Sequence, residues 1–308
     1  MNLEAFVLGC GGMMPLPYRH LTSVLVRREG SLFLFDGGEG TQVSLRRLNL
    51  KWKKINAIFI SHTHADHVTG IPGIMMLSSQ VDRTEPLYIF GPPKTAEYIE
   101  SSRRVLDMYI NYPVIVKEIT EPGVVYSEED FYIRAFPLKH TKTCVGYTLE
   151  ELDRPGEFNP QKAIELGVPC GPLFSKLQHG ESVTATDGSI VHPEQVMGAK
   201  RSGRKISYVT DTMYLPSIAK EVQGSDLLFC EGMFAKEFED QALEKKHMTS
   251  EQAATIARDA NVDKMALIHY SPRYTDYELS TLAEEAQKIF PNTVLSRDRM
   301  VFEIPNKD

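Results

Sequence analysis

The chain has 308 residues, a length that allows about two domains or one large α/β unit carrying an insertion. With 34 Lys and Arg against 41 Asp and Glu, 42% hydrophobic and 24% charged residues, it has the balance of a soluble globular protein, which excludes disordered, collagen-like and coiled-coil chains. The net charge of −7 argues against indiscriminate polyanion binding, so a nucleic-acid ligand would need local basic patches or a metal centre.

Runs of strand length, rich in β-branched and aromatic residues, predict strands at 5–8, 23–26 and 32–35, followed by a helix over 41–48. A strand at 57–60, a helix at 70–79, a strand at 87–90 and a helix at 94–108 come next. Strands at 132–136 and 146–149 precede a stretch without core periodicity. Strands at 206–209, 227–229 and 265–268 then alternate with helices at 216–222, 250–260 and 277–289. Thr249 or Ser250 ahead of Glu251 and Gln252 is a helix-start signal. Strands first, then strands mixed with helices, predict an α/β (α+β) fold of stacked sheets with helices outside.

Residues 152–204 fit no core element. They are rich in Gly, Pro and polar residues, with a short helical piece near 161–166 and a hairpin-like piece around 183–190. A connection this long inside a compact domain is usually functional or separately folded. The four cysteines, Cys10, Cys144, Cys170 and Cys230, include no CxxC pair and are expected to be reduced, mostly buried thiols. No apolar run approaches ~18 residues, and the first residues lack the basic flank and long apolar stretch of a secretory signal. The expected compartment is the cytoplasm, with no membrane partner.

The chemistry concentrates where strands end. After 57–60 comes Ser61-His62-Thr63-His64-Ala65-Asp66-His67. Residues two apart in an extended segment project to the same side, so His62 and His64 can share one metal while the following turn points Asp66 and His67 at a second. Imidazole with carboxylate suits zinc, with manganese or iron as alternatives. So dense a group would be costly to bury unpaired. His140, Asp211 and His269 each follow an apolar strand as well. Singly, each reads equally well as a hydrogen-bonded interior group, and their shared placement favours one site.

These residues resemble the ligand motifs of the metallo-β-lactamase superfamily. The resemblance implies a four-layer αββα sandwich with a dinuclear metal site on one edge: His62, His64 and His140 on one metal, Asp66, His67 and His269 on the other, and Asp211 bridging. His64 stands where the flavodiiron branch carries Glu. Two Zn²⁺ per subunit, offset by Asp66, Asp211 and a bridging hydroxide, leave about +1 with neutral histidines, a sign suited to a phosphodiester. Paired metals can generate the hydroxide, hold a phosphate oxygen and neutralise charge in an in-line displacement.

Further motifs resemble the short-form ribonuclease Z family. They are Leu8-Gly9-Cys10-Gly11-Gly12, Phe35-Asp36-Gly37-Gly38-Glu39-Gly40-Thr41-Gln42, Gly70-Ile71-Pro72-Gly73 and His269-Tyr270-Ser271-Pro272-Arg273-Tyr274. In 152–204, Gly167-Val168-Pro169-Cys170-Gly171-Pro172-Leu173 looks like the Gly-Pro motif of that family's flexible tRNA-binding arm. The resemblance implies a catalytic domain from 1–151 and 205–308 with a protruding arm at 152–204. The implied activity is cleavage of precursor tRNA on the 3′ side of the discriminator nucleotide, leaving a tRNA 3′-hydroxyl and a trailer 5′-phosphate. The implied assembly is a homodimer in which one subunit's arm holds the tRNA that the other cuts.

By the same resemblance Asp66, His247 and Glu231 are catalytic. Asp66 orients the hydroxide while ligating metal, and His247, paired with Glu231, protonates the leaving oxygen. Gly171, Pro172, Lys176 and Arg273 are implied to bind substrate. Taken alone, His247 would read as a surface histidine flanking a helix. The chain departs from the family in three places. Cys230-Glu231-Gly232-Met233 replaces His-Glu-Ala-Thr, His20 stands where Asn usually follows Arg19, and from Glu151 to Lys205 seven acidic side chains balance seven basic ones. RNA contacts would then come from Lys200, Arg201, Arg204 and Lys205 and from Arg46, Arg47, Lys51, Lys53 and Lys54, groups that without the family read as solvated faces.

Two rival functions follow from the same residues. A small-molecule phosphodiesterase or arylsulfatase of the superfamily needs the metal site alone, and the arm speaks against it. A non-catalytic RNA-binding scaffold would not need seven intact ligand positions. A β-lactamase or thioesterase is disfavoured by the cytoplasmic reading and the arm.

Overall fold

In β1 (Leu3–Gly9), Ala5 and Val7 enter one core while Phe6 and Leu8 enter another, the two-sided burial of a central strand. The computed structural model, which describes residues 2–307, extends this sheet with β2 (Ser23–Arg28), β3 (Ser31–Phe35), β4 (Ile55–Phe59), β5 (Leu87–Gly91) and β6 (Val114–Glu118). Pairing is antiparallel from β1 to β3 and parallel from β3 to β6. Parallel neighbours need crossovers. These carry α1 (Thr41–Arg47), α2 (Ala65–Val68), α3 (Ile71–Gln80) and α4 (Thr95–Val105). Ile71, Ile74, Met75 and Ile99 of these helices share a core with Phe6, Leu8, Leu34 and Ile58.

The second sheet begins with β7 (Gly123–Ser127), β8 (Phe131–Lys139) and β9 (Thr143–Glu151). After an insertion holding α5 (Pro160–Glu165), α6 (Pro172–Gln178), β10 (Val183–Thr184) and β11 (Ile190–Val191), it resumes. There follow β12 (Lys205–Val209), α7 (Ile218–Glu221), β13 (Leu227–Glu231), α8 (Glu239–Lys245), α9 (Ser250–Asp259), β14 (Met265–Ile268), α10 (Leu279–Ile289) and β15 (Thr293–Leu295). The final strand, β16 (Val301–Glu303), pairs antiparallel with β1, giving the orders β16-β1-β2-β3-β4-β5-β6 and β15-β14-β13-β12-β9-β8-β7. Thr249 caps α9 in a capping box with Gln252, as the sequence signal predicts.

Between the sheets, Phe59 stacks on Phe35 and Phe90, with centroids at 5.2 and 5.1 Å, and meets Tyr147 of the opposite sheet at 5.5 Å. Helices outside both sheets complete a four-layer αββα sandwich. Elements without a clear sequence pattern are β6 and β7, which are partly exposed, β16, which reads exposed-buried-exposed over three residues, and α8, where Ala242 is the buried residue and no apolar stripe exists. Among the described residues no helix is long and apolar enough to cross a membrane.

The chain divides into two compact units. One runs through Glu150 and resumes over Lys205–Pro305; the other comprises Glu151–Arg204 with the residues from Asn306 on. The second has its own small core of Ala163, Val168, Leu177, Val183, Ala185, Val191 and Val196. The insertion leaves and re-enters the first unit at a register pair, Glu150 opposite Lys205 on β9 and β12.

Candidate metal centre

Each candidate ligand follows a strand end. His62 and His64 lie in the extended segment after β4, Asp66 and His67 form the first turn of α2, and His140 and His269 directly follow β8 and β14. Asp211 stands two residues beyond β12. All seven converge. His62, His64, His140 and Asp211 bring one ligand atom each within 4.8 Å of one another, and so do Asp66, His67 and His269. Asp211 faces both groups: Oδ2 is 3.7 Å from His62 Nε2 and 3.6 Å from His140 Nε2, and Oδ1 is 3.2 Å from Nε2 of both His67 and His269.

Asp36, at positive φ just after β3, orders this cluster from beneath. Its fully buried carboxylate accepts from Ser61 N–H and Ser61 Oγ at 2.7 Å, and from His67 Nδ1 and Tyr208 OH at 2.8 Å. Sequence reading quotes Asp36 within a glycine-rich motif but assigns it no task. A buried acid at a strand end beside glycines was the available signal.

The hydrogen bonds decide which ring nitrogens are bare. His67 Nδ1 donates to Asp36, and His140 Nδ1 donates to Lys246 O at 3.0 Å. Ser61 Oγ donates to Asp36, so it accepts from His62 Nδ1 at 3.0 Å. The Nε2 lone pairs of His62, His67 and His140 therefore point into the cluster. There His62 Nε2 lies 2.9 Å and His140 Nε2 3.2 Å from His64 Nδ1. With three inward-facing imidazole lone pairs beside the Asp66 and Asp211 carboxylates, the mixed His and Asp donors fit two divalent ions. Without one, burial opposes charge on His67, yet Asp211, Asp36 and Asp66 raise its pKa well above the ordinary histidine value.

Beside the donors, Glu231, the last residue of β13, is fully buried. Its Oε2 accepts from His247 Nδ1 at 3.0 Å and its Oε1 from Thr212 N–H at 2.6 Å. Burial opposes a charged His247, but the Glu231 carboxylate and its hydrogen bond outweigh that, and the pKa is pushed up to about 9. The His247 ring stacks near His269, with centroids at 5.5 Å. Cys230, the residue before Glu231, is fully buried in the hydrophobic core.

The remaining predicted residues lie elsewhere. Gly171, Pro172 and Lys176, all exposed, stand at the start and along α6 in the second unit. Arg273 is exposed and outside the donor cluster. Its guanidinium lies over Phe234 and Phe238 at 5.0 and 4.5 Å and donates to Gln241 at 3.0 Å. Arg204 corrects an expectation: it is 1% exposed and pairs with Glu151 at 2.7 Å, so this cation is committed inside the fold and does not contribute to a basic RNA-facing patch. Three of the four cysteines are buried, and Cys170 is exposed; all four are free thiols.

Comparison with known proteins places this geometry. A family model for the Anti-Pycsar protein Apyc1 matches residues 3–144, and one for a beta-lactamase superfamily domain matches residues 157–270. Ribonuclease Z of Treponema denticola is 70% identical over 308 residues, covering 100% of both chains. Ribonuclease Z of Methanosarcina acetivorans is 41% identical, covering 98% of each. The crystal structure of human tRNase Z, short form, shares the fold with a TM-score of 0.70 at 24% identity, covering 98% of this chain and 99% of that one. Matched from end to end at such identity, and folded as an αββα sandwich around a His and Asp cluster, the chain belongs to the ribonuclease Z family of the metallo-β-lactamase superfamily.

Proposed function

We infer that the chain is a metal-dependent endoribonuclease that removes the 3′ trailer from precursor tRNA, cutting after the discriminator nucleotide to leave a tRNA 3′-hydroxyl and a trailer 5′-phosphate. The observation that carries this reading is the His247–Glu231 couple at the rim of seven converging donors, in a chain that ribonuclease Z relatives match along its whole length. A non-catalytic scaffold has no use for that couple, and a small phosphodiester has no use for a separately packed unit at 151–204.

We assign His62, His64 and His140 to one Zn²⁺, Asp66, His67 and His269 to a second, and one oxygen of Asp211 to each. When bound, such a pair supplies Lewis acidity toward a phosphodiester and activates water as the nucleophile. The chain's own groups do the rest. Asp36 and Lys246 O hold the Nδ1 protons of His67 and His140 and so aim their Nε2 lone pairs inward. Asp66, steadied by the Met13 N–H on Oδ2 at 2.7 Å, orients the attacking water. His247, its Nδ1 proton held by Glu231, delivers a proton from Nε2 to the departing O3′ of the tRNA.

The unit at 151–204 serves as the tRNA-binding arm, with Gly171, Pro172 and Lys176 meeting the RNA backbone; Arg273 adds a contact nearer His247. Recognition is of shape and phosphates. A cytoplasmic homodimer, one subunit's arm presenting tRNA to its partner's metals, completes the reading. The test is to incubate purified, zinc-loaded protein with precursor tRNA and map both new ends. Cleavage after the discriminator is expected. Hydrolysis of small diesters with no cut in precursor tRNA would move the chain to the small-molecule phosphodiesterases.

A further inference from the structure

Asp298, in the turn between β15 and β16, has a side chain only 2% exposed, yet no lysine or arginine pairs with it among the described residues. Everything it holds belongs to the two ends of one loop. Oδ1 accepts from Cys10 N–H at 3.2 Å and from the Cys10 thiol at 3.3 Å. Oδ2 accepts from His20 N–H at 2.7 Å, with His20 Nδ1 at 3.4 Å. A direct bond, Gly11 N–H to His20 O at 2.8 Å, closes the same base.

The tip of this loop meets the metal centre. Met13, at φ +63°, donates its N–H to Asp66 Oδ2 at 2.7 Å. Gly12 lies so close beneath the His269 imidazole that a β-carbon there would stand 2.6 Å from Cε1. Asp66 and His269 are both assigned to the second metal. Side-chain packing does not fix the tip, because Met13, Met14 and Tyr18 are 56%, 55% and 85% exposed. Gly12 N–H donates to Tyr270 O at 2.9 Å and Tyr270 N–H to Cys10 O at 3.1 Å, which seat the first residues of the loop, while its ends are joined by Asp298 and its return is anchored by the buried Arg19, which donates to Tyr274 O and Asp276.

We propose that Asp298 is a positioning residue for the second metal position: by clamping Cys10 to His20 it keeps the Met13 N–H, beyond the seated Gly12, on the Asp66 carboxylate. An amide at 298 would retain one acceptor and turn an NH₂ toward a backbone N–H or the thiol. One end of the loop would then lose its side-chain anchor while its volume stayed filled. Groups that orient metal ligands typically influence affinity or activity by about 10- to 100-fold when changed.

The inference rests on the metal assignment and function given above, and its test separates the two. Asp298→Asn is compared with the parent and with Arg134→Gln, which breaks a bond to Glu221 remote from the loop and serves as a stability control. Three quantities are read: zinc affinity by chelator competition, amide exchange at Met13 in the zinc-loaded protein, and kcat and KM on a chromogenic phosphodiester. Asp298→Asn is expected to weaken the looser zinc by about tenfold or more, accelerate Met13 exchange and lower kcat with little change in KM, while Arg134→Gln changes none of these. If Asp298→Asn does not fold, Asp298→Ser, which keeps one acceptor, is read in the same way. Zinc affinity and Met13 exchange within twofold of the parent in a folded variant would overturn the proposal. A parent that binds zinc but leaves precursor tRNA uncut would instead count against the functional reading, and the zinc and exchange measurements would still decide the role of Asp298.

Discussion

Glu231 holds His247 at 3.0 Å with one carboxylate oxygen and the backbone N–H of Thr212 at 2.6 Å with the other. His247 is thereby fixed to the segment that follows Asp211, one residue from a donor of the cluster. His247→Ala should leave zinc content intact and lower turnover on precursor tRNA by about 10² to 10⁴, the range for a positioned acid. A phosphodiester with an activated leaving group needs little protonation and should be much less affected. Equal losses on both substrates would point to phosphate positioning instead. Glu231→Gln removes the charge that pushes the His247 pKa up to about 9. Because the protonated form is the acid, the alkaline limb of the turnover profile should shift to lower pH.

Asp36 accepts four hydrogen bonds, so its loss should register in metal binding before it registers in the reaction. Asp36→Asn should weaken zinc binding by about 10- to 100-fold, measured by chelator competition, because an amide cannot hold the His67 Nδ1 proton and Tyr208 OH with one anionic oxygen. Asp36→Ala should also cost stability, about 1–3 kcal/mol for each donor left unsatisfied, read from denaturant unfolding. Unchanged zinc affinity in a folded Asp36→Asn protein would mean that the imidazole orientation is set elsewhere.

Metal content gives an independent check. Elemental analysis of active protein should find about two zinc ions per subunit, and X-ray absorption should place them about 3.5 Å apart as in other two-metal sites. His64, partly exposed in the segment beyond β4, carries no core packing. His64→Ala should abolish activity with a melting temperature close to that of the metal-free parent. Zinc at about 100 times its dissociation constant should stabilise the parent by about 2.7 kcal/mol, and chelation should remove that increment. One ion or none in carefully purified active protein would count against the seven-donor assignment.

Replacing residues 155–197 with a Gly/Ser linker should leave a folded hydrolase. The exit and return strands are already neighbours through Glu150 and Lys205, and the Arg204–Glu151 pair is retained. Activity on a small diester should persist, while cleavage of precursor tRNA should fall mainly through a raised KM, because the lost binding is made equally in ground and transition states. Normal tRNA cleavage by the truncated protein would refute the arm assignment.

The candidate site was legible because its donors follow apolar strands, and strand ends on the two sheets meet at one edge. His62, His64 and His67 announced themselves by density, while His140, Asp211 and His269 needed the shared pattern. Asp36 and Asp298 were not legible as functional groups. Their partners lie far off in the chain, with Tyr208 reaching Asp36 from the other sheet and Cys10 and His20 reaching Asp298 across most of the sequence. Arg204 misled for the same reason, since composition cannot tell a solvated cation from one sealed against Glu151. Among the elements, α8 escaped notice because a helix that buries little has no apolar stripe to read.

Tyr208 on β12 donating to Asp36 beside β3 joins the two sheets directly beneath the donor cluster. Neither sheet by itself owns a complete set of donors: His62, His64, Asp66 and His67 arrive with the first, and His140, Asp211 and His269 with the second. A chain whose two sheets have not met therefore lacks the complete donor cluster. Because long-range closure is slow to achieve, the donor cluster is among the last features of the fold to be completed.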